Sequence, residues 1–261
     1  MSASTACGSL AGRVAMVTGA AGGIGRAVSL AFAEAGAALS LLDTSPPDPL
    51  AAEAKAHGNR VLALAADVTR RDQVHAVVSR TLAELGRLDI LVNVAGIVSF
   101  GAAETLAEAE WDRVIAINLK GTFLCCQAVI PAMRAQNWGR IINLGSIIGK
   151  NGGNARPWID PSEQDRSSNV AYGASKAGVH AITAFLAREL ASSGITVNAI
   201  APGPIASAMT TSLPASLKAL IPVGRMGEAA DVAHAALYLA SERAGFVTAE
   251  ILDVNGGMWA D

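Results

Sequence analysis

Cysteine is scarce in this chain: Cys7, Cys125 and Cys126 are the only three in 261 residues. An odd number with two adjacent makes no disulfide framework, which points to a reducing, cytoplasmic setting. Charge is sparse too, at 16% of residues with a net charge of -2. That excludes the basic face expected of a protein that binds nucleic acid or an anionic membrane. The four histidines, His57, His75, His180 and His234, show no metal-ligand spacing. All four read as structural or surface residues, and no metal is expected. The uncharged stretch from Leu190 to Leu217 is broken by Pro202, Gly203, Pro204 and Pro214, so it is no membrane span. The first twelve residues lack the basic start and apolar run of a signal peptide.

What is abundant is apolar material, 51% of the chain. That suffices for a large core and argues against disorder. Short apolar runs alternate with helical periodicity from end to end. Strands are expected at Val14–Val17, Ala38–Leu42, Val61–Ala65, Leu88–Val94, Arg140–Leu144, Thr196–Ile200 and Ile251–Val254. Helices are expected after Gly25 to about Ala35, and at Ala51–His57, Arg71–Leu85, Thr105–Gln136, Tyr172–Ala191 and Ala229–Ser241. The prolines at 46, 47 and 49 read as a turn. Strands alternating with helices imply a parallel sheet covered on both faces. The expectation is one doubly wound α/β domain over residues 1–261, a Rossmann fold with a seven-stranded parallel sheet.

The stretch Thr18-Gly19-Ala20-Ala21-Gly22-Gly23-Ile24-Gly25 follows the first strand and opens a helix. Glycines there let the backbone approach a pyrophosphate, which then sits on the N–H groups and positive end of the helix. Asp43 lies 18 residues beyond Gly25, at the end of the second strand. A carboxylate in that place accepts hydrogen bonds from an adenosine ribose and repels a 2′-phosphate. No Arg or Lys lies within the glycine loop or directly after Asp43 to offset the repulsion. NAD is therefore the expected cofactor. In doubly wound sheets ligands bind at the carboxyl ends of the strands. Gly19, Asp43, Asp67, Asn93, Gly96, Ser146, Pro202 and Gly203 all fall there.

Tyr172-Gly173-Ala174-Ser175-Lys176 places a phenol and an ammonium four residues apart on one helix face. Free tyrosine is a poor base at neutral pH, and a nearby cation favours the phenolate. Lowering its pKa by about 3 units takes about 4 kcal/mol of differential stabilisation. Alone, such a pair is a solvated helix face; its weight comes from what surrounds it.

Taken in order, these motifs resemble the short-chain dehydrogenase/reductase family over roughly Leu10 to Trp259. The resemblance rests on the TGAAGGIG loop, Asp67-Val68, Asn93-Val94-Ala95-Gly96, Ile117-Asn118-Leu119, Ser146, the Tyr172–Lys176 motif, Pro202-Gly203 and the ending Asp253-Val254-Asn255-Gly256-Gly257. It implies that Tyr172 is the general acid/base. Lys176 lowers the Tyr172 pKa and holds the nicotinamide ribose, Ser146 fixes the substrate oxygen, and Asn118 supports a water path to Lys176. It further implies that Gly19, Gly23, Ile24 and Gly25 line the pyrophosphate and Asp43 the ribose. Asp67 and Val68 would line the adenine. Asn93 and Gly96 would flank the cleft, and Pro202, Gly203 and Ile205 would complete the cofactor site. A homotetramer is implied as well.

The chain departs from the family at Val94 and Ser207, and at Ala249, where glycine is common. The largest departure is the 26-position gap between Ser146 and Tyr172, about twice the family's usual spacing. The extra residues, about 154–168, include Arg156, Trp158, Asp160, Glu163, Asp165 and Arg166. Anchored at both ends on catalytic residues, this insertion is expected to form part of the substrate pocket or its rim. The expected reaction is NAD-dependent interconversion of a secondary alcohol (a sugar, polyol or hydroxy acid) and its ketone. An NADP-linked 3-oxoacyl thioester reductase is the alternative within the same chemistry. A non-catalytic dinucleotide-binding protein is the alternative outside it.

Overall fold

The computed structural model describes residues 9–153, 160, 162–165, 167–206 and 219–260. Seven strands, β1 (Val14–Thr18), β2 (Ala38–Asp43), β3 (Val61–Ala65), β4 (Ile90–Asn93), β5 (Gly139–Leu144), β6 (Ile195–Pro202) and β7 (Ile251–Val254), join one all-parallel sheet. Their order is β3-β2-β1-β4-β5-β6-β7. The order reverses between β1 and β4, the crevice where doubly wound folds bind nucleotides. Register brings Thr18 opposite Asn93 and Asn93 opposite Asn143, a polar row at the carboxyl edge.

The strands are apolar throughout because both faces are buried. Alternate residues of β1 serve opposite cores: Ala15 and Val17 on one side, Val14 and Met16 on the other. The first core lies under α1 (Gly23–Glu34), α2 (Asp48–Lys55) and α9 (Ala229–Ala240), centred on Val28, Phe32, Leu39 and Leu239. The second lies under α3 (Arg71–Leu85), α5 (Thr122–Gln136) and α8 (Val170–Leu190), with Val74, Val129, Met133, Ile141 and Leu190.

Three of the departures from expectation have a local reason. Helix α2 begins at Asp48, inside the proline cluster read as a turn. Proline costs nothing in a first helical turn, where its missing N–H would have no partner. Strand β4 ends at Asn93, because the Val94 N–H turns away to the Thr18 hydroxyl. The long helix expected over 105–136 is interrupted. Helix α4 (Glu108–Val114) widens into a π-helical turn at Ile115–Gly121 before α5 begins. Such wide turns concentrate at functional sites, and this one carries Asn118. Two short helices, α6 (Ile148–Asn151) and α7 (Ser162–Asp165), lie between β5 and α8.

Candidate active site

The glycine loop leaves β1 at Thr18, whose hydroxyl accepts hydrogen bonds from the N–H groups of Val94 and Ala95, both at 3.1 Å. Those bonds clamp the loop to the segment after β4. Gly19 has φ +62, and a Cβ there would lie 2.7 Å from Ala95 Cα. At Gly25 a Cβ would fall 2.1 Å from the Gly19 carbonyl oxygen. Neither position tolerates a side chain, and the result is bare backbone at the entry to α1. Gly22 caps that helix without any side-chain acceptor, so the first turn keeps its positive end for an anion. Asp43 takes the Ala21 N–H on Oδ2 at 2.9 Å and the Thr44 N–H on Oδ1 at 2.8 Å. Its carboxylate thus stands at the lip of the loop, and among the described residues it has no ion-pair partner. A cradle of glycine backbone, an uncapped helix start and one carboxylate together suit an adenine dinucleotide.

Asp67 and Val68 follow β3. The Asp67 carboxylate accepts the Thr69 N–H at 2.8 Å and is exposed, whereas Val68 is buried beneath Gly121. Asn93 is placed otherwise than expected. Its side chain is buried, with Nδ2 donating to Asn143 Oδ1 at 2.9 Å and to Cys126 Sγ at 3.3 Å. It belongs to a polar seam beneath the cleft, completed by Asn143 donating to Thr183 Oγ1 at 2.9 Å. Strand alternation sends Asn93 into that face while Val92 and Val94 turn to the core on the other. Gly96 is exposed at the cleft floor; a Cβ there would sit 3.3 Å from Asn118 Oδ1 and 3.6 Å from Lys176 Nζ.

Asn118 ties the π-helical turn to the segment after β4 and to α8. Its side chain accepts the Ile97 N–H at 2.8 Å and donates to the Ile97 carbonyl at 2.9 Å and to Ser175 Oγ at 3.0 Å. Its own carbonyl receives the Thr122 hydroxyl at 2.8 Å. Pro202 accepts the Ile147 N–H at 3.1 Å, and Gly203 donates to Val254 O at 3.0 Å. Ile205 bridges to Gly227. These bonds join the ends of β5, β6 and β7 beside Ser146.

Ser146, Tyr172 and Lys176 converge there. Lys176 Nζ is buried, donates to Leu144 O at 2.7 Å and lies 5.8 Å from the centroid of the Tyr172 ring. Burial brings the Lys176 pKa down to about 8. Burial also raises that of Tyr172, and a hydrogen bond with the Ser146 side chain partly opposes the rise. The expected depression of Tyr172 by Lys176 is therefore not what the protein's own groups produce. Desolvation is the largest cause of the rise, and Lys176 Nζ is directed at the Leu144 carbonyl. Ser146 Oγ itself accepts the Ile148 N–H at 3.2 Å.

Known proteins share this arrangement. A profile of the family described as Enoyl-(Acyl carrier protein) reductase matches residues 19–259. The chain belongs to the short-chain dehydrogenase/reductase family. Among its relatives, a (2S)-[(R)-hydroxy(phenyl)methyl]succinyl-CoA dehydrogenase subunit from Thauera aromatica is 41% identical, over 94% of this chain and 96% of its own length. A 3-oxoacyl-[acyl-carrier-protein] reductase from Staphylococcus epidermidis is 42% identical, over 94% and 98%. A short-chain type dehydrogenase/reductase from Mycobacterium marinum superposes with a TM-score of 0.88 at 34% identity, covering 98% of both chains. The chain is accordingly an oxidoreductase of this family, of the kind that works with a nicotinamide dinucleotide.

Two residues of this short-chain dehydrogenase/reductase site have roles that the sequence does not announce. Thr18 is one: it opens the glycine-loop motif, but nothing local marks its hydroxyl as a clamp. His180 is the other: its Nε2 accepts the Ser146 N–H at 3.4 Å, one helical turn beyond Lys176. The i+4 spacing from Lys176 is the only clue to it. Of the insertion, Arg156, Trp158 and Arg166 lie outside the described residues, as does Ser207. Asp160, Glu163 and Asp165 are described, and the Ser162 N–H donates to Asp160 Oδ1 at 2.8 Å.

Proposed function

We propose that this protein interconverts a hydroxyacyl thioester and its 3-oxoacyl counterpart, with NAD as the hydride carrier. The observation that carries the reading is the meeting of Ser146, Tyr172 and buried Lys176 at the carboxyl edge of the sheet, beside the glycine cradle. Two hydroxyls on one substrate oxygen hold it in place and exchange its proton. In the oxidising direction Tyr172 takes the proton of the alcohol; in the reducing direction it returns one to the ketone oxygen. Ser146 steadies the same oxygen and favours the phenolate. Lys176, one donor spent on Leu144 O, supplies positive charge beneath Tyr172. The dinucleotide, when bound, supplies the hydride acceptor or donor. Gly19, Gly23, Ile24 and Gly25 would hold its pyrophosphate, Asp43 its ribose, and Asp67 and Val68 its adenine. Pro202, Gly203 and Ile205 would flank its nicotinamide.

The thioester class is supported by the relatives, whose names describe substrates carried as acyl-carrier-protein or CoA thioesters. A sugar, polyol or simple hydroxy acid has less support. NAD is supported by Asp43, unpaired among the described residues and poised over Ala21. The test is the nicotinamide absorbance on mixing the enzyme with acetoacetyl-CoA and NADH or NADPH, beside a panel of ketoses and 2-oxo acids. Reduction of the thioester with NADH is expected. Turnover of ketoses alone would refute the substrate class.

We further infer a homotetramer. Trp111, Phe123 and Phe185 stand exposed on α4, α5 and α8, and Tyr238 and Phe246 near the C-terminal strand. Light scattering should give four times the chain mass; a monomer would refute the assembly.

A further inference from the structure

Both backbone polar groups of Tyr172 are held by side chains that also hold the loop after β4. The Tyr172 N–H donates to Asn169 Oδ1 at 3.1 Å, and the Tyr172 carbonyl accepts the Ser175 hydroxyl at 2.7 Å. From Ser175 the chain of bonds runs through Asn118 to the N–H and carbonyl of Ile97. From Asn169 it runs the other way. Asn169 Nδ2 donates to Ser99 Oγ at 2.7 Å and to Phe100 O at 3.2 Å, and its backbone N–H donates to Ser99 O at 2.9 Å. Ser99 passes its own proton to Glu110 Oε1 at 2.5 Å, and Glu110 is paired with Arg113. An antiparallel bridge between Phe100 and Ser168, with Gly101 N–H donating to Ser167 O at 3.2 Å, closes the seam.

Helix capping explains only part of this. A cap needs one acceptor for an orphan N–H of the first turn, and Ser, Thr or Asp provides it as well as Asn. The two bonds from Asn169 Nδ2 add nothing to the helix. Asn169 and Ser99 are each only 4% exposed, so water is poorly placed to replace either bond. What these bonds join is the loop 97–101, which presents exposed Val98 and Phe100, to the residue that moves the proton.

We propose that Asn169 is a positioning residue that locks the loop 97–101 to the backbone of Tyr172, so that the substrate-facing loop and the proton-transfer group keep one geometry. The proposal rests on the role given to Tyr172 above. A displacement of about 1 Å in such a group costs about a hundredfold in rate, so a loosened lock reads out in kcat.

Two variants separate this from simple capping. Asn169→Ser keeps a good cap but is too short to reach Ser99 or Phe100. Ser99→Ala removes the tether from the loop side and leaves the cap intact. Each is expected to lower kcat about tenfold or more, with the Kd for NADH and the thermal midpoint near wild type. The double variant should be no worse than the poorer single one, because both cut the same link. Amide hydrogen exchange over residues 97–101 and 170–173 should rise together in either variant, a readout that needs no turnover. Wild-type kcat in both single variants would overturn the proposal. Should the wild type turn over no alcohol or ketone with either cofactor, the reading of the reaction fails while the exchange experiment still decides the lock. Exchange unchanged in both segments would overturn it.

Discussion

Replacing Asp43 with asparagine removes one charge and almost no volume. The Asp43 carboxylate is half-buried at the lip of the glycine loop, accepting the N–H groups of Ala21 and Thr44. A 2′-phosphate adds about 1.5 to 2 negative charges at neutral pH. Placed about 5 Å from a carboxylate, each unit of charge costs about 1 kcal/mol in water and about 3 kcal/mol at an effective dielectric of 20. The half-exposed setting favours the lower part of that range. A net discrimination of about 2–3 kcal/mol follows, or about 30- to 150-fold in kcat/KM between NAD and NADP.

The asparagine side chain would keep an acceptor for the loop, so Asp43→Asn should leave the thermal midpoint within a few degrees. The NAD-to-NADP ratio should fall toward unity, mainly through a lower KM for NADP. Because the site is open to solvent, the wild-type preference should also shrink as salt is raised. Steady-state kinetics with both cofactors at two ionic strengths, beside a thermal melt, measure all three effects. A wild type that prefers NADP, or an Asp43→Asn variant with an unchanged ratio, would refute the argument.

Ser146→Ala removes the one hydrogen bond that opposes the upward shift of Tyr172. Alcohol oxidation needs the phenolate, which is present above the Tyr172 pKa, so its pH–rate limb should move to higher pH as kcat falls about a hundredfold. Gly25→Ala drives a methyl to 2.1 Å from the Gly19 carbonyl, and the loop must shift; fluorescence titration should show NADH affinity weakened at least about tenfold. Lys176 ionises at about 8 when folded, against 10.5 unperturbed, so the folded chain binds fewer protons than the unfolded one between those values. Stability should therefore rise as pH climbs through that window, and Lys176→Met should flatten the rise in urea unfolding while abolishing turnover. Ala249 carries φ +63, a left-handed conformation that costs a non-glycine residue about 1 kcal/mol; Ala249→Gly should raise the thermal midpoint by about 2 °C.

Apolar runs mark all seven strands, and β3, β7 and α3 fall on the residues expected. A buried parallel strand advertises itself because every residue in it is apolar, and a glycine loop because close backbone approach permits nothing else. Helical spacing puts Tyr172 and Lys176 on one face, and the motifs around the pair give it its weight. What stays hidden depends on partners far along the chain. Asn169 and Ser99 look like ordinary polar residues until folding brings 97–101 against 167–175. The π-helical turn at Ile115–Gly121 is likewise set by what Asn118 must reach. Asn93 is legible as the end of a strand, but its side-chain partners, Asn143 and Cys126, lie far along the chain.

The electrostatics of the pair change how the proton step is to be understood. Had Lys176 simply lowered the Tyr172 pKa, the phenolate would be a resting property of the fold. Instead burial disfavours both charged forms: the phenol is held up and the ammonium drawn down to about 8. Near neutral pH the protein alone therefore favours a protonated Tyr172. In the proposed reducing direction the phenolate forms only as the substrate oxygen takes the Tyr172 proton, and it then needs charge stabilisation. The groups able to provide it are already aimed. Ser146 bonds the phenol, and Lys176 is pinned by Leu144 O, the single hydrogen-bond partner of its ammonium among the described residues. Interactions that strengthen as charge develops lower the barrier. The buried lysine thus acts by where its ammonium is pinned, which is why the hold on the Tyr172 backbone matters as much as the four-residue spacing that first singled the pair out.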